Sequence, residues 1–100
     1  MRKERRAAAE QARVEAMLRE IFERHLYFNE LIGLKVASLA ADLPQLTFAM
    51  RRELLGNSLF GRLHGGMISA TLDTVGGLAI AVAIAEKHPG ETAEQIVHRF

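Results

Sequence analysis

The residues best suited to chemistry lie in one stretch, His64-Gly65-Gly66-Met67-Ile68-Ser69-Ala70-Thr71-Leu72-Asp73-Thr74-Val75-Gly76-Gly77. Two glycines at a helix start let the backbone turn tightly and leave its first N–H groups uncovered. Those groups, at the positive end of the helix dipole, favour a nearby anion. A carbonyl oxygen becoming an oxyanion is one such anion, and fixed donors stabilise it. A tight turn that merely needs glycine is the plainer reading of Gly65-Gly66 taken alone. Asp73 adds a second group. It falls in a run of Ile, Ala, Leu and Val, where an unpaired carboxylate is costly. Its helical neighbours Ser69, Ala70, Gly76 and Gly77 are small, and Ala81 extends that stripe, so another backbone can come close. The competing reading is an aspartate bonded to Ser69 or Thr74 in a packing seam.

Spacing bears on assembly. Gly65 and Asp73 are separated by about 12 Å along a helix at ~1.5 Å per residue. Reacting groups must approach within about 3–3.5 Å, so one chain cannot bring both to one carbonyl carbon. Two antiparallel copies of the helix about a two-fold axis would set each glycine turn against the other copy's aspartate. The geometry asks for a dimer.

Other elements must hold this helix. Up to about Asn29, Val14, Met17, Leu18, Ile21, Phe22, His25 and Leu26 recur at spacings of three and four, which predicts an amphipathic helix. It must pack on a sheet or a partner chain. Gly33 breaks the pattern and the period becomes two. Leu34, Val36 and Ser38 form one face of a strand; Leu46, Phe48 and Met50 form one face of a second, across a turn at Ala41-Asp42-Leu43-Pro44. Residues 52–64 read as a loop anchored by Leu55, Leu59 and Phe60. A long helix then runs from the glycine turn to about Lys87, where His88-Pro89-Gly90 ends it. Thr92-Ala93-Glu94-Gln95 has the form of a capping box opening a short last helix.

Composition narrows the function classes. A chain of 100 residues with 49% apolar and 25% charged residues fits one soluble domain. The net charge of +1 gives no overall drive toward nucleic acid or anionic membranes. Arg2, Lys3, Arg5, Arg6 and Arg13 do crowd the first stretch, either as a phosphate-attracting cluster or as a solubilising charge run. With no cysteine there is no disulfide, thiol nucleophile or cysteine-held zinc. His25, His64, His88 and His98 show no paired spacing, so no metal site is expected. Ala7-Ala8-Ala9-Glu10-Gln11 after the basic start is unlike a secretory signal. Met67 to Ala85 is apolar enough to raise the question of a membrane span, but it carries Asp73 and two glycines at its middle and barely reaches the ~20 residues required. A buried helix in a cytoplasmic protein is the expectation.

Asn57, the Leu63-His64-Gly65-Gly66 turn and Asp73 together resemble the hotdog-fold thioesterases of the phenylacetate-pathway and 4-hydroxybenzoyl-CoA type. The resemblance covers roughly residues 29–88. It implies an α+β hotdog domain over residues 1–100, with a long central helix wrapped by a curved antiparallel sheet and an N-terminal helical extension over about 1–29. It further implies hydrolysis of a fatty or aromatic acyl-CoA to free acid and coenzyme A, by a homodimer or a dimer of dimers (a homotetramer). Asp73 would be nucleophile or general base, Gly65 the backbone donor to the thioester oxygen, and Asn57 a holder of the water or carbonyl. His64 would shape the turn and, with Gly66, touch substrate. Coenzyme A enters only as part of the substrate, and no cofactor or metal is implied. Two departures stand out: the Asn57–His64 segment is about a residue longer than in the family, and the sequence ends where further strands of such a domain begin. Either the chain is a fragment or another chain completes the sheet.

Competing classes are weaker. Hotdog dehydratases lack support because His64 and Asp73 are nine residues apart and no proline-rich approach precedes the histidine. A non-catalytic acyl-CoA-binding hotdog protein, which would need no working carboxylate, is the main alternative, and the presence of Asp73 argues against it. A small helical protein that binds membrane or nucleic acid would not need the strand-like middle.

Overall fold

The computed structural model describes residues 5–100. Helices occupy Ala8–Glu20 (α1), Tyr27–Ile32 (α2), Gly65–Lys87 (α3) and Ala93–Val97 (α4). Strands occupy Lys35–Ser38 (β1), Gln45–Thr47 (β2), Leu55–Asn57 (β3) and Arg62–Leu63 (β4). The class is α+β, with a long helix and two separate antiparallel pairs, β1–β2 and β3–β4. Among the described residues no continuous sheet wraps α3.

The first helix is not continuous to Asn29. α1 runs into one π turn at Ile21–His25, where Leu26 N–H donates to Ile21 O at 3.0 Å. Leu26 then leaves helical geometry at φ −94°, ψ 92°, and α2 carries on to Ile32. The wider turn shifts the chain's angular phase, so the apolar stripe ends early. Val14, Leu18 and Phe22 are buried, whereas His25 and Leu26 are exposed. The Phe22 carbonyl accepts from Asn29 Nδ2 at 3.0 Å, which gives this buried amide a partner at the break. Gly33, at φ 76°, ends α2 in the left-handed region, with its N–H on Glu30 O and the Leu34 N–H on Asn29 O.

β1 and β2 pair with Lys35 opposite Thr47 and Val36 opposite Leu46; an irregularity then sets Ser38 opposite Gln45. The period-two reading holds for Leu34 and Val36, both buried, and for Leu46 and Phe48, partly buried. It overreaches at Met50, which is exposed beyond the end of β2. The expected loop 52–64 is instead a single 3₁₀ turn, Arg52–Leu54, and the β3–β4 hairpin. Leu54 is its buried anchor, while Leu59 and Phe60 stand exposed at the tip, with Arg62 over the Phe60 ring at 5.5 Å.

α3 begins and ends where the sequence predicts, and Thr92 with Gln95 forms the capping box of α4. Burial is confined to one stripe. Leu78, Ala81, Val82 and Ala85 pack with Val14, Leu18 and Phe22 of α1, Val36 of β1, and Ala93 and Ile96 of α4. Nearer its start, Met67 packs with Ile32, Leu34 and Leu54. The amphipathic N-terminal helix therefore packs mainly on the second half of α3. Ile68, Leu72 and Ile80 remain exposed, so the expected buried helix is buried on one side only. By length and composition α3 could also cross a membrane. The radius of gyration is 15.7 Å, against about 13 Å for a compact domain of this length.

The basic start is partly spent on structure. Arg6 donates to three backbone carbonyls past the middle of the chain: Ala85 O at 3.1 Å, His88 O at 2.6 Å and Glu91 O at 3.0 Å. These lie at the C-terminal end of α3 and just beyond it, where the dipole favours a cation; Ala85 O and His88 O also accept from the His88 and Glu91 N–H groups at 3.3 and 3.1 Å, so Arg6 adds a second bond to each. Arg13 pairs with Glu10 and Glu94. Glu91 accepts from Arg99, and this bonding holds its carboxyl below the usual carboxylate range. Arg2 and Lys3 lie outside the described residues. Arg6→Ala should cost about 1–2 kcal/mol by removing these charge-assisted bonds, read as a fall in Tm of roughly 5–10 °C in a thermal melt.

Candidate active site

The turn into α3 is built around the His64 ring. His64 is extended (φ −64°, ψ 132°) and caps the helix, its Nδ1 accepting from the Gly66 N–H at 2.8 Å. An accepting Nδ1 puts the ring proton on Nε2. The His64 N–H donates to Leu54 O at 2.8 Å, tying the turn to the β3 end of the hairpin. Space is tight at two flanking positions. A Cβ at Gly66 would stand 2.9 Å from His64 Nδ1, and one at Gly56 would stand 3.1 Å from the His64 Cα.

Gly65 differs. A Cβ there would meet nothing within 4 Å, and its φ is not positive, so this chain's own packing does not demand glycine. Of the first four N–H groups of α3, Met67 and Ile68 reach His64 O at 3.0 and 3.3 Å, and Gly66 is held by the ring. The Gly65 N–H alone has no hydrogen-bond partner among the described residues. The sequence expectation of uncovered donors thus narrows to one amide.

Asp73 is exposed, and its carboxylate makes no hydrogen bond or ion pair among the described residues. The competing reading, a bond to Ser69 or Thr74, is not formed: the Thr74 hydroxyl donates to Ala70 O at 2.8 Å and lies 3.4 Å from Asn29 Oδ1. The apolar residues beside Asp73 in sequence point around the helix, so they do not enclose it in this chain. Ala81 also leaves the predicted stripe, being packed in the core beneath α1. Gly76 faces open space, and a Cβ at Gly77 would reach only ordinary contact, 3.8 Å from the Phe22 ring.

Asn57 ends β3, and its Oδ1 accepts from the Leu59 N–H at 2.9 Å, closing the hairpin turn. It pairs with Arg62 across the hairpin. The fold therefore joins His64, Gly65 and Gly66 in one turn, with Asn57 in the adjoining hairpin, while Asp73 lies about two turns further along α3. Gly56, which makes room for His64, carried no signal in the sequence beyond its place in a presumed loop.

Comparison with known proteins adds a relationship. The chain is similar to acyl-CoA thioesterases. Over 81 residues, 81% of its length, it is 29% identical to the medium/long-chain acyl-CoA thioesterase YigI of Escherichia coli K12. The identity is 29% to the protein of the same name in Shigella flexneri and 30% to that of Salmonella typhimurium. The chain spans about half, 52%, of the length of these relatives. Their names specify medium or long acyl chains, not phenylacetate or 4-hydroxybenzoyl groups. No protein-family model and no solved structure matches the chain.

The two glycines of the turn should respond differently to a methyl group. Gly66→Ala should displace the His64 cap and lose about 1 kcal/mol. Gly65→Ala should be neutral or gain up to ~1 kcal/mol from helix propensity. Urea unfolding of the two variants beside wild type checks the ordering.

Proposed function

We propose that this chain is a hotdog-fold acyl-CoA thioesterase whose sites form between two copies. The observation that carries the reading is the pairing, on one uncovered face of α3, of a free carboxylate at Asp73 with an unpartnered Gly65 N–H at the helix start. Leu72 and Ile80 lie exposed near the carboxylate, and Gly76 leaves room for a second backbone. An antiparallel second α3 would cover these groups and bring its Gly65 toward this chain's Asp73. The assembly is a homodimer, alone or as a dimer of dimers, and the setting is cytoplasmic with no membrane span.

In the reaction, the thioester oxygen accepts from the Gly65 N–H, with the helix dipole behind it. Asp73 attacks the carbonyl carbon, or takes a proton from water that does so. The carbon–sulfur bond breaks, coenzyme A leaves as its thiol, and water supplies the hydroxyl of the free acid. Closing the interface would desolvate Asp73 and strengthen these interactions. His64 and Gly66 hold the turn and line the substrate side, and Asn57 would approach from the hairpin to hold water or carbonyl. No metal or separate cofactor enters. The medium and long acyl chains in the relatives' names, together with the exposed apolar side chains of α3, favour aliphatic over aromatic substrates.

The test is release of free coenzyme A from medium- and long-chain acyl-CoAs. Asp73→Ala should lower kcat by roughly 10²–10⁴-fold. Because the side chain is exposed and unpaired, stability should move by no more than about 0.5 kcal/mol. Binding without turnover in wild type would instead favour an acyl-CoA-binding protein. Unfolding of Asp73→Ala would make the aspartate structural.

A further inference from the structure

The two strands of the first sheet have unlike outer edges. The Val36 N–H donates to Glu23 Oε2 at 2.7 Å, and the Val36 carbonyl accepts from Arg19 Nη1 at 2.6 Å. Arg19 and Glu23, one turn apart at the end of α1 and in the π turn, are themselves 3.6 Å apart. In an antiparallel pair, alternate residues turn both backbone groups toward the partner strand or both away. Val36, opposite Leu46, therefore turns both away from β2. A donor and an acceptor from the helix meet them, as a neighbouring strand would. Leu46, on the far side of the same pair, turns its N–H and C=O to the other edge, where no hydrogen bond is formed among the described residues.

We propose that Arg19 and Glu23 act as a side-chain substitute for a strand, closing the β1 edge against a second copy of this chain. The excluded pairing follows from the geometry. Two β1 strands about a two-fold axis would set Val36 opposite Val36, each exchanging both backbone bonds. Exposed edges of this kind invite such pairing unless they are blocked. With β1 closed, the sheet can accept an extended strand only along β2. The inference does not depend on the thioesterase reading, since it concerns backbone pairing at the β1 edge and uses neither Gly65 nor Asp73.

Amide hydrogen exchange and sedimentation of the full chain test it, with circular dichroism to establish folding. In Glu23→Ala and in Arg19→Ala/Glu23→Ala, the Val36 amide should exchange at least about tenfold faster at low concentration. The double variant should also form species larger than wild type as concentration rises. Glu23→Gln keeps an acceptor oxygen and should retain most of the protection, which separates edge capping from loss of the fold. Unchanged Val36 protection in the folded double variant, or loss of protection with no added association, would overturn the proposal.

Discussion

Everything in this structure is arranged about α3, a long apolar helix that buries one stripe and leaves another uncovered. Leu78, Ala81, Val82 and Ala85 lie against α1, β1 and α4, and Met67 is fixed by α2 and the segment before β3. Arg6 braces the helix at its far end by donating to carbonyls there and just beyond it. These contacts fix which side of α3 faces outward. That outward side carries Leu72, Asp73, Gly76 and Ile80. Apolar surface of this extent favours association, while a carboxylate among it raises the cost of covering it without a matched donor. The same constraint thus bears on stability, assembly and chemistry.

The helix start illustrates how one side chain can decide which donors remain available. His64 consumes the Gly66 amide through Nδ1 and the next two amides through its carbonyl. What remains is a single N–H at Gly65, a residue whose added Cβ would meet nothing within 4 Å. A glycine that its own fold does not require is most readily understood through something that approaches it from outside. In the proposed assembly that visitor is the thioester oxygen, with the second copy's Asp73 beyond it.

Much of this was legible in the sequence. The turn His64-Gly65-Gly66, the extent of α3, the capping box at Thr92 and the inward faces at Leu34 and Val36 follow from motif and period. The β3–β4 hairpin was not legible, because strands of three and two residues are too short to display a period. Nor was the π turn at Ile21–His25, since helical spacing continues through it and only the exposure of His25 and Leu26 reveals the change of phase. Asp73 was placed correctly on the helix but assigned apolar surroundings from its sequence neighbours. A helix distributes such neighbours around its circumference, so they need not enclose the residue. The structural use of Arg6 depended on contacts with residues some eighty positions away, which local pattern cannot register.

The central claim is that each site combines Gly65 of one copy with Asp73 of the other. Mixing two inactive variants tests it most directly. Gly65 is the first residue of α3, where proline is tolerated, and the extended His64 before it suits a following proline, so Gly65→Pro should remove chiefly the free N–H. After co-refolding equal amounts of Gly65→Pro and Asp73→Ala, mixed dimers hold one intact site each, and about a quarter of wild-type coenzyme A release should return. Mixtures that stay as inactive as their parents, despite forming mixed dimers, would contradict a site shared between copies.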